Sequence, residues 1–265
     1  MGRMPKLMKK KILSRGDLGG ISLLISGNLG AGKTSLTADI LKRLYNRRDR
    51  DDRPSNERFF WRGRATCQWT KMDGVIDKRI LVPDTASIEF YKDEGKPEVD
   101  LWRFNTLREL WELSSPDCLN VFYLPVERLI DFLEWIEEEV FDWTTVAIDE
   151  ASDISPYGAS GEKYEWTQRV ADVLKETRKT RISIIANSQD FSDIQWFVLR
   201  KFMAYGFLQG SRPVSTSPIW RSAIRGLDDG EAWISMGNEF EKITFPPYKG
   251  EDIRAKIKYS EDRVE

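Results

Sequence analysis

Residues 21–26 read Ile-Ser-Leu-Leu-Ile-Ser and pass directly into Gly27-Asn28-Leu29-Gly30-Ala31-Gly32-Lys33-Thr34-Ser35, beyond which a helix-forming segment begins. No other stretch restricts the fold so tightly. A short apolar run bounded by glycine predicts a buried strand, and Leu36, Ile40, Leu41 and Leu44 at helical spacing predict a helix over residues 33–45 that packs on a sheet. Between them, glycines let the backbone curl so that successive N–H groups point inward, and the helix adds the positive end of its dipole. Such a loop cradles a polyphosphate. The pattern predicts that residues 27–35 bind a nucleotide, with Lys33 reaching the β- and γ-phosphates and Thr34 holding Mg²⁺.

A second motif lies far downstream. Residues 119–124 read as a buried strand, and after Pro125 the spacing of Val126, Leu129, Ile130, Leu133, Ile136 and Val140 predicts a helix of about four turns. The chain then reaches Thr145-Val146-Ala147-Ile148-Asp149-Glu150, an apolar strand ending in two carboxylates. In a strand of this kind the aspartate belongs to the Mg²⁺ shell and the glutamate polarises the water that attacks the γ-phosphate. Glu150 therefore separates this chain from small kinases and GTPases and points to hydrolysis, with ATP favoured. Residues 163–180 form a further helix, followed by the strand Ile182-Ser183-Ile184-Ile185-Ala186-Asn187 and then Ser188-Gln189-Asp190. Open α/β sheets bind ligands at the carboxyl edge, so Gln189 is either a sensor of the γ-phosphate and lytic water or a plain turn amide. Thr70-Lys71-Met72-Asp73 resembles a guanine-specificity motif but lies early in the chain, and we read it as coincidence.

Composition narrows the chemistry further. The chain has no histidine among its 265 residues, which removes histidine general bases and imidazole zinc sites. Cys67 and Cys118 are far apart and read as reduced thiols. No apolar run approaches the roughly 20 residues needed to span a bilayer, and the expected location is cytoplasmic. A net charge of −2 means that nucleic-acid binding would need a local basic patch. Residues 1–20, with Lys6, Lys9, Lys10, Lys11 and Arg15, read as a flexible basic arm. Residues 21–210 read as the nucleotide-binding domain, and residues 211–265, with short β-favouring runs at 231–235 and 242–245, as a small β-rich extension or a tail that wraps a neighbour. Between 58 and 97, short β-favouring runs at 58–61, 79–82 and 87–91 alternate with breaks. The ten tryptophans suit packing within the core or between subunits, with stacking on single-stranded bases as the other use.

Taken together, residues 27–34, Ala147-Ile148-Asp149-Glu150-Ala151, and Thr177-Arg178-Lys179 leading into 182–189 resemble the FtsK–HerA ATPases. More narrowly, the chain is similar to the compact genome-packaging ATPases of archaeal viruses and mobile elements, and its fold to the N-terminal domain of zonula occludens toxin-like proteins. The resemblance implies an α/β, three-layer P-loop NTPase of RecA-like, additional-strand type with a mainly parallel central sheet. It also implies a homo-oligomeric ring, commonly a hexamer, in which a neighbour's arginine completes the ATP site. Arg178 is the first choice for that arginine and Arg169 the second. The implied function is an ATP-driven motor on double-stranded DNA in viral packaging, with capsid or portal-like virion proteins as further partners. An ATP-controlled assembly protein acting on coat proteins is the competing reading, and a nucleotide kinase is disfavoured by Glu150.

Overall fold

A computed structural model of the chain describes residues 6–14, 19–47, 56–213 and 219–260. Arg15 of the expected basic arm lies outside the described residues. In chain order the first half contains β1 (Ser22–Ser26), α1 (Lys33–Tyr45), β2 (Arg58–Arg62), β3 (Lys78–Pro83), β4 (Ala86–Tyr91), β5 (Leu101–Phe104) and α2 (Leu107–Leu113). The second half adds β6 (Leu119–Phe122), α3 (Val126–Glu139), β7 (Thr144–Ile148), α4 (Glu162–Glu176), β8 (Ile182–Ser188), α5 (Trp196–Leu199) and β9 (Ala204–Phe207). The C-terminal part contributes α6 (Arg221–Arg225), β10 (Glu231–Met236), β11 (Glu239–Thr244) and β12 (Arg254–Tyr259).

Among the described residues, ten strands form one sheet in the order β11-β10-β9-β1-β8-β7-β2-β6-β3-β5. From β9 to β5 every pairing is parallel, whereas β10 runs antiparallel to β9 and to β11. One strand, β8, is inserted between β1 and β7, which is the arrangement expected of additional-strand NTPases. The central strands β1, β7 and β8 are buried along their whole length, as strands covered on both faces must be, and this accounts for their unbroken apolar runs. Register pairs Ser26 with Ser188, Ile148 with Ala186, and Trp61 with Ala147. The chain therefore leaves β1, β7, β8 and β2 at a common edge.

Alternation along each strand divides the core into two layers. Leu23, Ile25, Phe59 and Trp61 face one side, where Leu36, Ile40, Leu41 and Leu44 of α1 pack. Leu24 and Phe60 face the other, against Leu129, Phe132 and Leu133 of α3 and Val170, Val173 and Leu174 of α4. The expected three-layer α/β fold is thus the observed one. Tyr164, in the first turn of α4, is 41% exposed. Among the described residues no helix is long and apolar enough to cross a membrane.

The N-terminal end of the chain differs from the sequence reading, whereas the C-terminal end carries the expected β-strands. Residues 6–14, expected within a flexible basic arm, contain a π-helical turn at Met8–Ile12 that buries Leu7, Met8, Ile12 and Leu13 in the α1-side core. The Glu241 carboxylate accepts the backbone N–H groups of Lys6 and Leu7 at 2.9 and 2.7 Å, and Lys11 pairs with Glu239 at 2.6 Å. In the expected β-rich extension, β10 and β11 continue the sheet past β9. Strand β12 then crosses to pair antiparallel with β4.

Phe60 sits at the centre of the α3-side layer, with ring centroids 5.2 Å from Phe132 and 5.9 Å from both Phe122 and Trp111. Replacing it by alanine removes a fully buried ring and leaves a cavity among these aromatic side chains. Phe60→Ala should cost about 3–5 kcal/mol, read as a lower urea midpoint at unchanged m-value.

Candidate active site

The loop between β1 and α1 is held by contacts that begin at its first glycine. A Cβ on Gly27 would lie 2.8 Å from Cβ of Leu208, so only glycine lets the chain turn here. Gly32, immediately before α1, has φ of +94°, a left-handed conformation that glycine adopts without steric cost. The Lys33 ammonium folds back over the loop and donates to the carbonyl oxygens of Gly27 at 2.6 Å and Asn28 at 3.0 Å. Burial lowers its pKa, and the nearby Glu150 carboxylate opposes that shift.

The second motif meets this loop. Asp149, just past β7, is partly buried, and its carboxylate accepts from Nε1 of Trp61 at 3.0 Å and Nδ2 of Asn187 at 3.2 Å. Burial lifts its pKa to about 6, while those two donors favour the ionised form. Asn187 also accepts from the Thr37 hydroxyl at 3.0 Å, which ties β8 to α1. Glu150 accepts from the Ser152 hydroxyl at 2.9 Å. A single cavity of about 330 Å³ is lined by Leu29, Lys33, Thr34, Asp149, Glu150 and Gln189. The fold thus brings together the residues picked out by both motifs and the amide after β8.

The arginines named from sequence lie elsewhere. Arg178 is exposed in the connection between α4 and β8. The seven residues of β8 separate it from the loop edge, roughly 20 Å at strand rise. Arg169 is committed to its own subunit, pairing with Asp131 at 2.6 Å and with Glu134 across the α3–α4 interface. These carboxylates raise its pKa above the usual arginine value.

Sequence reasoning missed a third wall. Arg64 and Gln68, beyond β2, line the cavity beside the carboxylates. Arg64 shares Asp153 with Arg62, its Nε lying 3.3 Å from the Asp153 carboxylate and the Arg62 guanidinium 2.6 Å away. Lys71, from the supposed decoy at 70–73, lines an adjoining cavity, whereas Asp73 pairs with Lys78. The only sequence signal for this wall is the closely spaced Arg62 and Arg64 after an apolar strand.

No protein-family model matches the chain, and no curated protein matches it. Among solved structures, the genome packaging NTPase B204 from Sulfolobus turreted icosahedral virus 2 in complex with AMPPCP is similar, with a TM-score of 0.54 at 12% identity over 88% of this chain and 99% of that one. The same NTPase in complex with ATP-gammaS gives 0.52 at 12% identity, over 87% and 98%. The N-terminal domain of zonular occludens toxin from Neisseria meningitidis gives 0.38 at 13% identity, over 86% and 95%. At such identities the likeness to the packaging NTPase is one of fold, and it is the fold expected from the motifs.

Asn187 is the joint between Asp149 and α1, and removing it strands two buried polar groups. Asn187→Ala should destabilise the protein by about 1–3 kcal/mol. In a double-mutant cycle with Thr37→Val, the second substitution should cost less in the Asn187→Ala background. Strict additivity in chemical denaturation would show that the two side chains do not interact.

Proposed function

We propose that this chain is an ATPase that works as a ring motor on double-stranded DNA, in packaging a viral genome. The observation that carries the reading is the 330 Å³ cavity in which Lys33, Thr34, Asp149, Glu150 and Gln189 converge. The fold shared with a viral genome packaging NTPase supports the same direction.

A magnesium ion suits this donor set. The Thr34 hydroxyl and Asp149 carboxylate are hard oxygen ligands in one cavity, and Mg²⁺ is commonly held by one or two such groups plus phosphate oxygens and water. Desolvation already burdens Asp149, and a cation beside it would offset that cost. When bound, the ion neutralises charge on the phosphate oxygens.

The chain's own groups supply the remaining steps. The N–H groups of residues 27–35 hold the phosphates, and the Lys33 ammonium exchanges the Gly27 and Asn28 carbonyls for phosphate oxygens. Glu150, oriented by Ser152, accepts a proton from the attacking water as the new P–O bond forms and the β–γ bridging oxygen departs. Gln189 orients that water. Arg64 adds positive charge from the same subunit, and Arg178 of a neighbouring subunit completes the site in trans. Arg169 is the weaker choice, because reaching a neighbour would break its ion pairs with Asp131 and Glu134.

Glu150→Gln should lower steady-state ATP turnover by about 100-fold or more while ATP still binds; a fully active variant would remove Glu150 from the mechanism. Duplex DNA should stimulate the wild-type rate. The translocase reading fails if DNA neither binds nor stimulates while a coat protein does, an outcome the low net charge of −2 keeps in view. For the arginine, Arg178→Ala subunits mixed into wild-type protein should depress activity more steeply than their mole fraction. Proportional dilution would exclude a trans role.

A further inference from the structure

A second cavity, of about 430 Å³, is lined by residues 29–35 of the loop. Besides the loop, its lining includes Phe245, Pro247 and Tyr248, beyond β11, together with Asp229, Gln68 and Lys71. Leu29, Lys33, Thr34 and Gln68 line both this cavity and the one holding the carboxylates. A triphosphate lying along the loop therefore has two directions open to it. Its terminal phosphate must face Asp149 and Glu150 for hydrolysis, so the nucleoside end is directed into the second cavity.

The walls suit that occupant. A volume of this size falls within the range of small-molecule sites, and planar side chains offer stacking surface to a base. Phe245 is pressed against the loop, because a Cβ on Gly32 would meet its ring at 3.1 Å. Tyr248 is fixed at both ends. Its backbone N–H donates to the Ser35 hydroxyl at 3.3 Å and its phenol to Asp39 at 3.3 Å, while Asp39 also holds Arg43 at 2.6 Å. An aromatic side chain positioned from two directions loses little entropy when a base stacks on it.

We propose that residues 245–248 form the nucleoside seat of this site, so that the C-terminal segment of the same subunit binds the base and ribose of the triphosphate held by the loop. This inference rests on the reading of residues 27–35 as a triphosphate cradle. It assigns a ligand contact to a segment that carries no part of the loop motif. Base affinity then depends on the aromatic wall, and phosphate affinity depends on Lys33.

The test is calorimetric titration of the full chain, in Mg²⁺, with AMPPCP and separately with inorganic tripolyphosphate. Tyr248→Ala should weaken AMPPCP binding about tenfold or more and change tripolyphosphate binding less than twofold. Tyr248→Phe, which keeps the ring and loses only the bond to Asp39, should retain most of the affinity. Phe245→Leu should act like Tyr248→Ala; because Phe245 is buried, its melting midpoint is recorded, and if that falls Tyr248→Ala alone decides. Lys33→Ala should weaken both ligands. If Lys33→Ala weakens neither, the cradle reading fails and takes the seat with it. If Lys33→Ala weakens both while Tyr248→Ala leaves AMPPCP unaffected, or weakens the two ligands equally, the seat is overturned and the cradle stands.

Discussion

Asp149 sits where a carboxylate is costly to keep charged, at the end of a strand flanked by strands on both sides. Desolvation pushes its pKa to about 6, and two N–H donors partly offset the cost. Those donors come from Trp61 on β2 and Asn187 on β8, the neighbours of β7 on either side. Asn187 carries the connection on to Thr37 and hence to α1. One partly buried acid thus links three strand ends and the helix that follows the 27–35 loop. The two motifs are far apart along the chain, and they are brought together by the register of β1, β8 and β7 together with this network.

This dependence explains which parts of the site could be read directly. The helix predicted over 33–45 is observed over Lys33–Tyr45, because a glycine loop marks its start and apolar spacing marks its buried face. Strands β7 and β8 were legible for a different reason: burial on both faces demands an unbroken apolar run, and polar residues mark where it leaves the sheet. Arg64, Gln68 and Lys71 carry no such signal. Their segment is positioned by the distant C-terminal tail, through Cys67 N–H donating to the Ile253 carbonyl and Ala255 N–H to that of Ala65. Contacts of that separation leave no local periodicity.

The N-terminal residues show a competition between two signals. Leu7 and Ile12, like Met8 and Leu13, are five apart, a spacing that matches the i→i+5 turn of a π-helix and not the α-helical period. Lysines between them dominate the composition and suggest a solvated arm. Burial of the four apolar side chains prevails, and Glu239 and Glu241 on β11 receive one lysine and the backbone N–H groups. The C-terminal strands consequently serve the fold twice, as the sheet edge that holds the N-terminal segment and as the origin of the wall beside the loop.

Sidedness constrains how copies of this chain could cooperate. The loop, the carboxylates and Gln189 lie at the carboxyl edge of the parallel strands, whereas Arg178 precedes β8 and lies at the opposite edge, against Gly19 before β1. Arg178 cannot reach its own site along the length of β8. If it serves a neighbour, the amino edge of one subunit must approach the carboxyl edge of the next. Opposite faces of a subunit cannot both lie in a single two-fold contact, so a trans role for Arg178 requires a heterologous, head-to-tail interface. Interfaces of that kind close into rings when the rotation permits. The position of one arginine relative to the strand direction therefore ties the proposed chemistry to the proposed assembly.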